Sequence, residues 1–92
     1  MKQDPTYVDA RLRLADMLRI NGRPAEAIAQ YREAANLDAR VIDAPLGMVM
    51  ALVTLGRYAE ARDRLRDGMQ QYPDQPAFAH LLVRNAQRFG AP

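Results

Sequence analysis

The chain has 92 residues, 49% of them apolar and 26% charged, with thirteen basic against eleven acidic side chains and no cysteine. That length suits one small domain, and the balance is that of a folded globular protein rather than a disordered one. The lack of cysteine excludes disulfides, thiolate metal sites and a cysteine nucleophile, and the interleaved charges form no basic stripe of the kind nucleic-acid binding needs.

The start, Met1-Lys2-Gln3-Asp4-Pro5, turns polar at once. No signal-peptide core follows it, and no apolar run reaches the ~20 residues of a membrane span. The expectation is a cytoplasmic chain without membrane insertion. Gly and Pro punctuate it at Asn21-Gly22-Arg23-Pro24, at Gly56-Arg57, at Tyr72-Pro73-Asp74-Gln75-Pro76 and at Gly90-Ala91-Pro92. The stretches between are rich in Ala, Leu, Arg, Glu and Gln, and their few β-branched residues do not alternate, so helices are expected and strands are not.

Five helices are read in chain order. The first spans about Thr6 to Ile20, with Asp4 or Thr6 as cap and Pro5 at an entry position. The second spans about Pro24 to Leu37. Its residues Ala27, Ile28, Tyr31, Ala34, Ala35 and Leu37 form one apolar stripe opposite Glu26, Gln30, Arg32, Glu33 and Asn36. The third spans about Asp43 to Leu55, with Asp43 as its N-cap. It has almost no polar face, which predicts a central helix with Met48 and Leu52 in the core. The fourth spans about Tyr58 to Gln71, and the fifth about Gln75 to Phe89, starting at Pro76.

Self-similarity at one spacing ties these helices together. Gly22, Gly56 and Gly90 are 34 residues apart, as are Pro5, Ala39 and Pro73, Ala27 and Ala61, and Tyr31 and Leu65. Gly-Arg-Pro-Ala-Glu-Ala at 22–27 returns as Gly-Arg-Tyr-Ala-Glu-Ala at 56–61. A 34-residue helix–turn–helix period is the tetratricopeptide signature, and the chain resembles that family over essentially its whole length. The family's small packing residues match Ala15, Ala27 and Ala34, then Ala61 and Gly68. Its large first-helix residues match Leu14 and Leu18, then Met48 and Leu52. Departures fall at its tryptophan-like position, here Arg11 and Pro45, at Ala39 where a proline is usual, and at Arg62 in an otherwise apolar slot.

The resemblance implies an all-α solenoid of antiparallel helix–turn–helix repeats stacked as a short right-handed superhelix. One repeat would cover about 6–39, a second about 40–73, and a terminal helix about 75–89, all in a single domain over 1–92.

It also implies an interaction module that holds a peptide or partner helix in a concave groove lined by the first helices of successive repeats. The matching positions are Asp9, Leu12, Asp16 and Arg19, then Asp43, Leu46, Met50 and Val53, then Ala77, His80, Arg84, Gln87 and Arg88. This places an acidic wall on the first helix, an apolar floor on the third and a basic wall on the fifth. Arg84 and Arg88, with His80 one turn earlier, suit an acidic segment or a phosphate. The positions that clamp chaperone C-terminal tails in some relatives hold Leu12, Asp16, Gly47, Ala77 and Leu81, which lack the clamp chemistry. The alternative is a structural role: a segment of a longer solenoid, or a homodimer joined through end helices, on the strength of the apolar Phe78, Leu81, Leu82, Val83 and Phe89.

Catalysis finds no support. His80 is the sole histidine, no phosphate-cradling glycine loop occurs, and a metal site needs three or four ligands. No enzyme activity, cofactor, metal or nucleic-acid partner is expected.

Overall fold

The structure is a computed structural model that describes the backbone of residues 5–89 and the side chains from Tyr7 onward. The suggested cap Asp4, the side chain of the other suggested cap Thr6, and the last glycine break, Gly90, lie outside what it describes. Five helices are present among the described residues: α1 (Pro5–Ile20), α2 (Pro24–Leu37), α3 (Asp43–Thr54), α4 (Tyr58–Gln71) and α5 (Ala77–Arg84). There is no strand among the described residues.

The repeated glycines end α1 and α3 in the same way. Gly22 and Gly56 sit at φ of 80° and 77°, the left-handed region where a Cβ is strained. In the first turn the Arg23 amide donates to the Leu18 carbonyl at 2.8 Å and the Gly22 amide to Arg19 at 3.3 Å. In the second the Arg57 amide donates to Leu52 at 2.9 Å and the Gly56 amide to Val53 at 3.0 Å. Both are Schellman turns, which occupy carbonyls that a helix end otherwise leaves open. The following arginine then pairs with a glutamate of the next helix's first turn: Arg23 with Glu26 at 2.9 Å, Arg57 with Glu60 at 2.6 Å. The duplicated Gly-Arg-x-Ala-Glu-Ala string is therefore one local motif used twice.

These turns fold α1 back on α2 and α3 back on α4. The Cα extents are 46 × 31 × 15 Å. The shortest dimension matches two helix layers, with axes about 10 Å apart and a Cα radius of about 2.3 Å on each side. α1, α3 and α5 form one layer, and α2 and α4 the other. α3 is central as its composition predicts: Ala44, Gly47, Met48, Val49, Ala51 and Leu52 are all buried.

Aromatic rings hold neighbouring helices together by lying against glycines. Tyr31 of α2 is fully buried, and a methyl group on Gly47 of α3 would overlap its ring. Phe78 of α5 lies against Gly68 of α4 in the same way and stacks on Tyr72, centroids 5.5 Å apart. Tyr31 also has a polar end. Its hydroxyl donates to the Asp16 carboxylate and accepts from Arg19 Nε at 3.1 Å, so one buried ring ties α1, α2 and α3. Burial raises the Tyr31 phenol pKa above its usual value, and the bond to Asp16 raises it further, while Arg19 pulls it down.

Two expectations are corrected. Asp43 is not an N-cap; Ile42 takes that position, no side-chain cap bond forms, and Asp43 is the first helical residue, where its charge still suits the helix N-terminus. The fifth helix is shorter than Gln75–Phe89. Pro76 takes its N-cap position, and it ends at Arg84 because Asn85 leaves helical geometry at φ −109° and its Nδ2 donates to the Leu81 carbonyl at 2.9 Å. Residues 85–89 continue as turns and bring Phe89 back into the core.

The polar departures from the family pattern are absorbed locally. Arg11 donates to Gln30 Oε1 at 2.7 Å and lies over the Tyr7 ring at 5.0 Å. Arg62 directs Nη1 at the Phe89 carbonyl over 3.5 Å. Each leaves its Nε buried without a hydrogen-bond partner, a small local cost.

Two tests follow from the Tyr31 contact. Gly47→Ala should lower stability by about 1–3 kcal/mol, since overpacking a close contact outweighs the helix-propensity gain of alanine; the shift in urea midpoint measures it. The phenol should also make stability pH-dependent. Its folded pKa lies above the unfolded value of about 10, so its contribution is complete below that pH and declines as pH rises through the folded pKa. Urea midpoints measured from neutral to alkaline pH should fall in wild type and fall less in Tyr31→Phe.

Candidate functional site

Helices of one layer run parallel, so their C-terminal ends lie together. There α1, α3 and α5 enclose a cleft of about 360 Å³. Its floor is apolar: Val49, Met50 and Val53 from α3, with Leu81 from α5. Its rim is basic: Arg19 from α1, Arg84 from α5 and Arg88 from the turn beyond it. Thr54 and Asn85 complete the lining.

The repeat explains why these residues meet. Asp16, Met50 and Arg84 occupy equivalent positions 34 residues apart, as do Ile20, Thr54 and Arg88, and Arg19 and Val53. Equivalent positions on stacked hairpins point the same way, so one face of the solenoid is written by comparing helices rather than by reading along one.

Of the expected groove residues, the cleft brings together Arg19, Met50, Val53, Arg84 and Arg88. Leu12 is not among them. It is 8% exposed and belongs to the hydrophobic core, because the α1 face that carries it packs inward. Leu46 is half-buried and packs against the same core. Asp9 is exposed and pairs with Arg13 at 3.2 Å; it lies in the N-terminal half of α1, away from the cleft. Asp43, at the start of α3, and His80, early in α5, are exposed and also lie outside its lining.

Asp16 and Arg19 are tied to Tyr31. Asp16 accepts the Tyr31 hydroxyl and lies 3.6 Å from Arg19 Nη2. Arg19 is only about one-fifth exposed, and its bond to Tyr31 raises its pKa, so it stays charged at the cleft edge. The expected layout, acidic on α1 and basic on α5, is therefore rotated. Arg19 on α1 shares a basic rim with Arg84 and Arg88, and Asp9 and Asp43 lie toward the N-terminal ends. Basic groups at helix C-termini and acidic ones at N-termini complement the helix dipoles. The sequence signal for this rotation was the position of Arg19 near the end of its helix; Arg84 reads as mid-helix until the early end of α5 is known.

Sequence reading missed Val49, Thr54, Leu81 and Asn85 as cleft residues. Val49 reads as pure core by composition, and Asn85 reads as mid-helix until the early end of α5 is known. A smaller space of about 170 Å³ lies among Ala35 of α2, Met48 of α3 and Gly68 of α4, with Arg64 and Asp67 also in its lining. No group of His, Cys, Asp or Glu that could hold a metal ion occurs among the described residues, and none of the described helices is long and apolar enough to cross a membrane.

Comparison with curated proteins, and with solved structures, gives no match. The model of a family described as tetratricopeptide repeat matches residues 18–84, from the end of α1 to the end of α5. That match covers both glycine turns, the duplicated string and every cleft residue but Asn85 and Arg88. Repeats of this kind generally mediate protein–protein interaction. On its helical hairpins, their common turn motif and the family match, the chain belongs to the tetratricopeptide-repeat family.

Proposed function

We propose that the chain is an interaction module that holds a peptide or partner helix across the α1–α3–α5 face. The observation that carries this reading is the cleft itself: an apolar floor in which Met50 remains 39% exposed although α3 is otherwise the most buried helix. Apolar side chains left open inside a polar rim mark contact surfaces, and methionine adapts to varied partners. The floor suits one or two anchoring side chains, and the rim suits polar groups flanking them. Neither catalysis nor a cofactor is needed for this role.

Partner capture by the immobilised chain tests the reading. Met50→Asp should weaken binding roughly tenfold, the scale of a central contact residue, with an unchanged helical circular dichroism signal. Binding that survives Met50→Asp would place the partner on another surface.

A second reading, association of the chain end to end, is favoured by α1. Tyr7, Leu14 and Met17 are exposed at 43%, 46% and 60%, and with Ala10 they form a stripe at helical spacing. The positions 34 residues later are Val41, Ala44, Met48 and Ala51; the last three are buried in the α2–α3 contact, and Val41 is half-buried. The α1 stripe thus resembles a stacking face with no helix on it. The fifth helix, expected to supply such a face, does not: Phe78 and Phe89 are buried, Leu81 and Leu82 are half-buried, and Val83 alone of this set is exposed. In a homodimer through α1, sedimentation equilibrium should show mass rising with concentration, and Leu14→Glu with Met17→Glu should restore the monomer. A constant monomer mass in wild type would remove that version.

A further inference from the structure

The cleft carries charge of one sign. Three arginines line it and no acidic side chain does. Arg84 and Arg88 are exposed, and among the described residues neither has an acidic partner within ion-pair distance. The carboxylate beside Arg19, that of Asp16, is engaged with Tyr31 and Arg19.

Helix ends oppose this charge. α3 and α5 both finish at the cleft, and their C-termini bring partial negative charge that repels an anion. Two of the carbonyls there are already engaged: Thr54 Oγ1 donates to Met50 at 3.0 Å and Asn85 Nδ2 to Leu81 at 2.9 Å. The donors left for a ligand are the guanidinium N–H groups.

We propose that the cleft selects an acidic peptide segment, in which an apolar side chain seats on Met50 and Val53 and flanking Asp or Glu carboxylates pair with Arg84 and Arg88. This inference rests on the reading of the α1–α3–α5 face as the docking face. The guanidinium fork matches a carboxylate in two parallel hydrogen bonds, and two such forks, one at the end of α5 and one on the turn beyond it, match two carboxylates of one peptide segment. Charge complementarity and the apolar floor together choose the occupant. A lone phosphate would satisfy the arginines and leave the floor bare. A nucleic acid strand would need stacking surfaces, and no aromatic side chain lines the cleft. The site is not the tail clamp of chaperone-binding relatives, since of those positions, Leu12, Asp16, Gly47, Ala77 and Leu81, it uses Leu81 alone.

Selection from a phage-displayed random peptide library against the whole chain tests the proposal. The expected result is enrichment of Asp or Glu beside an apolar residue. A synthetic copy of an enriched peptide should lose roughly tenfold in affinity to Arg84→Gln/Arg88→Gln, the scale of charge-assisted hydrogen bonds. It should also resist displacement by inorganic phosphate. Both arginines are exposed, so the double variant should fold, and circular dichroism checks that. Enrichment of neutral peptides that depend on Met50 would overturn the acidic selectivity and leave the docking face standing. Displacement by inorganic phosphate would overturn it in favour of a phosphate site. Peptides indifferent to Met50→Asp and to the arginine changes, or no enrichment at all, would remove both the selectivity and the docking face.

Discussion

The left-handed glycine turn is the constraint on which the rest of the molecule depends. Gly22 and Gly56, at φ of 80° and 77°, let a helix stop, bind its last carbonyls and reverse without a long loop. A side chain at either position would strain that reversal. Because each turn follows its helix at the same offset, α1 and α3 end at the same level. The residues one turn before the ends are thereby brought side by side: Arg19 before Gly22, and Met50 and Val53 before Gly56. α5 ends without such a glycine among the described residues, yet it delivers Arg84 to the same level. The cleft is thus a consequence of where the chain turns.

Close packing between hairpins rests on a second device, a ring against a glycine. Tyr31 on Gly47 joins the first hairpin to the second, and Phe78 on Gly68 joins the second to α5. The two contacts do not occupy equivalent repeat positions. Gly68 and Phe78 correspond to Ala34 and Ala44, which are both fully buried. A pair of alanines at one junction is replaced at the other by a glycine and a large ring, so the two junctions are filled by different side chains, all of them buried. The glycine leaves the ring the space that a Cβ would take.

Charge follows the helix axes. Asp9 and Asp43 lie toward N-terminal ends, and Arg19, Arg84 and Arg88 toward C-terminal ends or just past them. Asp43, Arg19 and Arg84 stand in a first or last turn, and each favours the helix that carries it by a few tenths of a kcal/mol up to about 1 kcal/mol. Stacking the helices in parallel sums these separate preferences into a basic rim. Tyr31 links this rim to the core, because the hydroxyl of a fully buried aromatic residue orients Arg19. Stability and the shape of the candidate site therefore share a residue.

Much of the fold was legible in the amino-acid order. The 34-residue spacing of Gly22 and Gly56, the duplicated Gly-Arg-x-Ala-Glu-Ala string and the apolar third helix specify helical hairpins, their turns and the central helix. The bounds of α2 and α4 follow directly from Pro24, Gly56 and the Tyr72-Pro73 break. These features are local: a glycine at a turn or an apolar stripe acts within one or two helical turns of itself. Tertiary structure decided the rest. It put Leu12 in the core, ended α5 at Arg84, and set Arg19 beside Arg84 and Arg88. It also moved the open apolar stripe from α5 to α1. Each of these depends on which face of a helix its neighbours cover, and on how residues far apart in the chain are superimposed by stacking. Helical period gives the faces of one helix but not the neighbour that each face meets, and only packing supplies that.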